Sequence, residues 1–301
     1  MQPMRFGMVG TGYWADEVHA PGVASHPDTQ LVGVWGRDPE KAARVAARHG
    51  ATAFAEVDDL LDAVDALVFA VPPQVQVDIA IRAARAGKHL LLEKPVATSL
   101  DAADRLVEAV SQHHVSTVVF FTERFLPARE SWLRERIDSA PLGARATWLA
   151  SLQTPGNPFA GSPWRQEDGA LWDVGPHALS ILLPALGPVT AVTGFRGHGD
   201  LVSLVVRHES GATSTVQLSL TMPPEATRFE VEMYDEHGWR VRPPDETDTT
   251  GAQHRAVSEL VECVRAGRTE HRCDVRFGRT VVEVLHRAQE VVGQRRPDAG
   301  Q

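Results

Sequence analysis

"GMVGTGYWA" (7–15) is the stretch on which the fold of the first half turns. Gly10, Gly12 and Ala15 fit the pattern G-x-G-x-x-G/A. They stand directly after the short apolar run "RFGMVG" (5–10) and open a helical segment. Each position answers a separate physical demand. Gly10 permits a tight turn, Gly12 lets backbone approach a pyrophosphate, and Ala15 lets helix and strand pack closely. The start of the helix then offers N–H groups to anionic oxygens. A lone match is weak, and a plain tight turn is the bland alternative. Its place inside a strand–helix–strand unit favours dinucleotide binding.

Working outward, the first half alternates strand and helix. Apolar runs recur at "QLVGVWG" (30–36), "DALVFAV" (65–71), "HLLLE" (89–93) and "STVVFF" (116–121). Between them lie helical patterns at 39–50, 73–87 and 99–113. In the last, Ala103, Leu106, Val107 and Val110 form one apolar face. Thr98 with Asp101 resembles a capping box, Pro39 suits a first helical turn, and Gly50 and Gly87 suit helix ends. Strands apolar throughout, joined by helices, predict a doubly wound parallel sheet covered on both faces.

The pattern changes near residue 122. A helix is expected over about 127–139, and the strands after it alternate. In "RATWLASL" (145–152), Ala146, Trp148, Ala150 and Leu152 share one face. In "TVQLSL" (215–220), Val216, Leu218 and Leu220 do the same, with Gln217 and Ser219 opposite, and "ESGA" (209–212) reads as a hairpin turn. Alternation suits a sheet with one face free. Helical patterns at about 252–266 and 276–293 close the chain. The expected architecture is α/β: a doubly wound domain over 1–121, then an α+β domain over 122–301 with an open, mostly antiparallel sheet.

Composition limits the partners. Of the 301 residues, 43% are hydrophobic and 23% charged, which suits globular cores, and the formal charge is −9. An acidic surface repels phosphate backbones, so no nucleic-acid partner is expected. The opening residues lack the pattern of a signal peptide, and no apolar run is long enough to span a membrane. Cys263 and Cys273 are the two cysteines. Cys263 lies in a helical pattern and reads as a buried thiol, with a disulfide or metal ligand as the alternative. Together these features predict a cytoplasmic protein. No ligand spacing for a metal is present.

The second strand ends "VWGRDPE", where a dinucleotide lacking a 2′-phosphate is usually held by a carboxylate. Gly36 stands there instead, with Arg37 adjacent, while Asp38 suits the cap of the next helix. Arg37 is either a solvated surface charge or the partner of a 2′-phosphate. The second reading favours NADP over NAD. In open α/β sheets ligands lie beyond the carboxyl ends of the strands, which is where Lys94 stands in "HLLLEKPVAT".

At this point the chain resembles the Gfo/Idh/MocA oxidoreductase family. The resemblance rests on "GMVGTGYWA", "VFAVPPQ" (68–74), "AGKHLLLEKPVATS" (86–99) and "GALWDVGPHALS" (169–180). It implies a Rossmann domain. It also implies a catalytic group of Lys94, Asp173 and His177, and a Lys94–Pro95 peptide that can be cis. Residues expected around the cofactor are Gly10, Thr11, Gly12, Tyr13, Trp14, Gly36, Arg37, Pro72, Glu93 and Lys94. The residues alone add that Asp173 and His177 are four apart, and that Gly175 and Pro176 oppose a regular helix through them. A helix starting near Pro176 fits better. His177 is either a satisfied structural histidine or the proton-exchanging group.

Departures from the family pattern fall where substrate is chosen. Thr122 and Glu123 precede Arg124 and Phe125, Ser180 replaces a frequent aspartate, and 156–173 is compact. Arg124, Trp164, Arg165, Trp172 and Ser180 are candidate substrate residues. Core packing is the alternative for the tryptophans, and surface ion pairing for the arginines. The expected activity is NAD(P)-dependent hydride transfer at a hydroxyl or ketone carbon. The resemblance implies a sugar, polyol or sugar derivative as substrate, and a homo-oligomer, dimer or tetramer. Two rivals are an NAD-dependent glycosidase that oxidises its sugar transiently and a non-enzymatic dinucleotide sensor.

Overall fold

The computed structural model describes residues 2–152, 157, 163–244 and 248–293. They form two compact units. The first comprises Met1–Leu126 with Thr247–Thr280, and the second Pro127–Glu246 with Val281–Gln301.

The first unit is built on a six-stranded sheet of β1 (Met4–Val9), β2 (Thr29–Trp35), β3 (Thr52–Phe54), β4 (Ala66–Phe69), β5 (His89–Leu92) and β6 (Thr117–Val119). Their order is β3-β2-β1-β4-β5-β6, and every pairing is parallel. The central strands are apolar on both faces because helices cover both. Phe6, Met8, Leu67, Phe69, Leu91 and Leu92 are all fully buried. The covering helices include α1 (Ala20–Ala24), α2 (Pro39–Arg48), α3 (Val57–Ala63), α4 (Pro73–Arg85) and α5 (Leu100–Gln112).

Local chemistry sets most helix ends. Asp38 caps α2, its carboxylate accepting from the N–H groups of Glu40 and Lys41. The capping expectation at α5 needs correction by one residue. Ser99 is the extended residue before the helix, and its hydroxyl accepts from Ala102 N–H at 3.2 Å. Thr98 lies one residue outside, and its hydroxyl accepts from Gln74. Strand β3 and helix α3, only 3 and 7 residues long, show no periodicity that their sequence could display. Helix α9 (Thr249–Arg265) packs on α1 and on β5 and β6, so part of the C-terminal segment belongs to the first unit.

The second unit holds α6 (Pro127–Ser139), α7 (Pro163–Asp173) and α8 (Gly175–Leu186). Its strands are β7 (Gly143–Leu149), β8 (Val189–Arg196), β9 (Val202–His208), β10 (Thr213–Ser219), β11 (Arg228–Asp235) and β12 (Gly238–Val241). The order is β12-β11-β7-β10-β9-β8. All pairings are antiparallel except β7 with β10. The alternation seen in the sequence marks two faces. Ala146, Trp148, Val216, Leu218, Val231 and Met233 are buried on one, and α8 packs on β7 and β10. Gly175 lets α8 approach closely, since a Cβ there would stand 2.9 Å from a Leu285 methyl. Helix α10 (Val275–Gly293) begins in the first unit and ends in the second. Both cysteines are buried free thiols, and burial raises the pKa of Cys263. No helix among the described residues is long and apolar enough to cross a membrane.

Candidate dinucleotide and catalytic site

In the first unit, β1 runs into the glycine turn. Gly10 has φ +133°, and its N–H donates to Trp35 O at 2.9 Å. A Cβ there would lie 2.4 Å from Ala70 O and 2.8 Å from Ala70 C. Backbone atoms cannot yield as a side chain can, so glycine is required by the fold itself. Gly12 differs, because a Cβ there would meet nothing within 4 Å. The chain is helical from Tyr13 onward, and the first N–H groups of a helix lack intrahelical acceptors. Open space in front of such donors fits the pyrophosphate of a dinucleotide. Thr11 follows Gly10 in the turn, Tyr13 is half-exposed, and its ring meets Trp14 edge-on at 6.4 Å.

A Cβ at Gly36 would come within 2.6 Å of Thr11 Cγ2. The contact is with a side-chain methyl, which can turn aside where the backbone at Ala70 cannot. Arg37, next along, is exposed. Asp38 is committed to its cap, and the Lys41 N–H is the first cause that lowers its pKa.

Lys94 follows β5 on a loop held from two sides. From α4, whose N-cap is Pro72, comes Gln76, fully buried. Its amide accepts from Glu93 N–H at 2.8 Å and donates to the carbonyls of Glu93 at 2.8 Å and Pro95 at 3.3 Å. From the helix after the glycine turn comes His19, whose Nε2 lies 2.8 Å from Glu93 Oε1. The other carboxylate oxygen, Oε2, accepts from Lys94 N–H at 3.1 Å. The Lys94–Pro95 peptide is cis, and Lys94 is half-buried. Sequence reasoning missed His19 and Gln76. The available signal was that each places a polar side chain on the buried stripe of its helix.

In the second unit, Asp173 ends α7 and His177 lies in the first turn of α8, which starts at Gly175, one residue before the expected Pro176, with the break at Val174. Asp173 is 2% exposed, and its Oδ2 accepts from Arg165 Nε at 2.9 Å. The Arg165 guanidinium also lies over the Trp164 ring at 4.8 Å. These three residues therefore form one cluster at α7, which Gly169 bends with φ +69°. His177 is half-buried, its ring stacked on Trp148 at 6.3 Å and 12°. Arg242 sits 5.5 Å from the same indole. Ser180 is fully buried and donates to the His177 carbonyl at 2.8 Å. Trp172 packs in the core, its Nε1 donating to Gln289 at 2.8 Å. Arg124 is buried in the first unit, 6.0 Å from the Phe277 ring.

Comparison with known proteins identifies the family. Residues 4–121 match the profile described as the oxidoreductase family, NAD-binding Rossmann fold, and residues 131–239 match the GFO/IDH/MocA C-terminal domain. The chain belongs to the Gfo/Idh/MocA oxidoreductase family. An uncharacterized Saccharomyces cerevisiae member is 30% identical over 72% of this chain and 64% of its own length. UDP-N-acetylglucosamine 3-dehydrogenase of Acidithiobacillus ferrooxidans is 28% identical over 78% of this chain and 72% of its own. The structure of GenD2 from gentamicin A biosynthesis, in complex with NAD, shares the fold. Its TM-score is 0.86 at 22% identity, covering 98% of this chain and 96% of that one.

Proposed function

We propose that this chain is an NAD(P)-dependent oxidoreductase acting on a hydroxyl or ketone carbon of a sugar, polyol or sugar derivative. The observation that carries the reading is the anchoring of the Lys94 loop. Through Glu93, that loop bonds to the helix that leaves the glycine turn. The proposed lysine therefore belongs to the same rigid unit as the dinucleotide's turn. The Acidithiobacillus relative, a sugar-nucleotide dehydrogenase by name, supports the substrate class.

When bound, the nicotinamide supplies the hydride acceptor or donor. The remaining work falls to side chains of this chain. His177 exchanges the hydroxyl proton, a task imidazole performs near neutral pH. The Lys94 ammonium stabilises negative charge that develops on the substrate. Asp173, fixed by Arg165, orients substrate or His177. Trp164 and Arg165 contribute to substrate choice. Arg37 favours NADP(H), because an exposed guanidinium stands beside Gly36, which carries no carboxylate.

The protein acts as a homo-oligomer through the free face of the second sheet. One row across all six strands runs Thr193, Val205, Thr215, Arg145, Glu232 and Val241. Beside it lie Phe195 and Trp239, and the four apolar residues Phe195, Val205, Trp239 and Val241 are 64%, 48%, 48% and 50% exposed. An apolar face of this kind is a candidate for association. A panel of sugars, polyols and nucleotide sugars with NAD⁺ and NADP⁺, read by absorbance of the reduced nicotinamide, tests the activity. Turnover of a member of the panel is the expected result, and binding of neither dinucleotide would overturn the proposal.

A further inference from the structure

Several buried polar groups have no part in the proposed reaction. The His19–Glu93 pair is the one whose geometry reaches the site. His19 is 1% exposed, and its ring packs 5.4 Å from Phe120 and 6.2 Å from Trp14. Its Nε2 meets Glu93 Oε1 at 2.8 Å across 74 residues of sequence. A carboxylate oxygen only accepts, so Nε2 is the donor. Its Nδ1 is buried without a hydrogen-bond partner among the described residues. A residue present only to fill space would be hydrocarbon and would carry no such orphan. The polar ring is explained by its one bond to Glu93.

The helix is irregular where that bond is made. Over Ala15–His19 it opens into π turns, closed by Ala20 N–H on Ala15 O. The π segment ends on His19, the residue that makes the bond to Glu93. The same helix begins at the glycine turn, where the dinucleotide's pyrophosphate is proposed to sit. On the far side, the second Glu93 oxygen accepts from the backbone N–H of Lys94 at 3.1 Å. A continuous path of bonded groups therefore runs from the dinucleotide's helix to the lysine.

We propose that His19 is a positioning residue for Lys94, tying the lysine's loop through Glu93 to the helix that receives the dinucleotide. This rests on the proposed roles of the glycine turn and Lys94. It goes beyond them by making lysine placement depend on dinucleotide binding. With NADH or NADPH bound, the helix is held, and so are Glu93 and the Lys94 backbone. A side chain misplaced by about 1 Å can lower a rate by roughly a hundredfold, so the link has a kinetic consequence as well.

Amide hydrogen exchange over 92–98 tests this without a known substrate, using NADH and NADPH as probes. Fluorescence titration first establishes that a dinucleotide binds. In the unmodified protein the bound dinucleotide should slow exchange at the Lys94 amide. In His19→Ala that slowing should vanish, and exchange at Lys94 should quicken by roughly fivefold, the scale of one lost hydrogen bond. Dinucleotide affinity should change by less than about threefold, since His19 makes no contact assigned to the ligand. His19→Gln can place a donor near the position of Nε2 and should restore the slowing. His19→Phe fills the space against Phe120 and should not. Rescue by Phe and not by Gln would show a packing role and overturn the proposal. Normal slowing in His19→Ala would overturn it as well. If His19→Ala loses its native circular dichroism, the comparison of His19→Gln with His19→Phe carries the test in its place. Failure of both dinucleotides to bind the unmodified protein would remove the underlying reading. Binding without any effect at Lys94 would leave that reading intact and refute this inference alone.

Discussion

Two glycines of one motif should fail in opposite ways when replaced. Gly10→Ala sets a Cβ 2.4 Å from Ala70 O, at a residue with φ +133°. Holding a non-glycine residue in such a conformation costs about 1–3 kcal/mol. Forcing an added carbon against packed atoms costs about 1–3 kcal/mol more. The expected loss is about 2–6 kcal/mol, which lowers the thermal midpoint by roughly 5–20 °C in a protein of this size. Gly12→Val has no such clash, because nothing lies within 4 Å of the new Cβ. Its midpoint should move by no more than about 2 °C. Its isopropyl group instead occupies the space proposed for pyrophosphate. Displacing an anion from two charge-assisted bonds costs about 3–6 kcal/mol, at least a hundredfold in affinity. Differential scanning fluorimetry with and without NADH and NADPH reads both effects. The unmodified protein should gain stability on adding the dinucleotide it prefers, and Gly12→Val should not. Normal binding by a folded Gly12→Val protein would refute the placement of the cofactor. A Gly10→Ala protein as stable as the unmodified one would refute the steric argument.

Lys94→Ala and His177→Ala should each lower kcat by roughly 10²–10⁴ with cofactor affinity nearly unchanged, because they act on charge and protons during the reaction. The double variant should be little worse than the poorer single one; additive losses in steady-state kinetics would mean the two do not serve one step. Arg37 should favour NADP(H) over NAD(H) by about 1.5–3 kcal/mol, roughly ten- to a hundredfold, and Arg37→Ala should erase most of it. Tighter NAD(H) binding by the unmodified protein in a fluorescence titration would reject that role. Burial lowers the pKa of His26, His89 and His208, with the neighbouring His254 adding to the effect at His26. Groups depressed in this way cost nothing while both states are neutral. Below the unfolded value of about 6.5 the unfolded chain binds protons first, so stability is lost as pH falls from there toward the folded values. Thermal midpoints measured from about pH 7.5 to 5.5 should decline over the lower half of that range, and a flat profile would contradict the burial of these rings.

Local signals were legible in the sequence. Apolar runs, helical stripes between them and alternation after residue 122 each depend on the period of one element, and the structure bears them out in both units. The Asp38 cap was also legible, because it is satisfied by atoms close in the chain, and the positive φ at Gly10 was announced by its glycine motif. Features that only the tertiary structure decided involve partners distant in sequence. Gly36 lies against the Thr11 side chain of another loop. Glu93, which alone reads as one charge beside another, is placed by His19 and Gln76, 74 and 17 residues earlier. The return of α9 to the first unit was hidden because its apolar stripe states that it packs but carries no address for the surface it packs on. Periodicity is written in each segment, whereas the choice of partner depends on which buried surfaces meet when the whole chain closes.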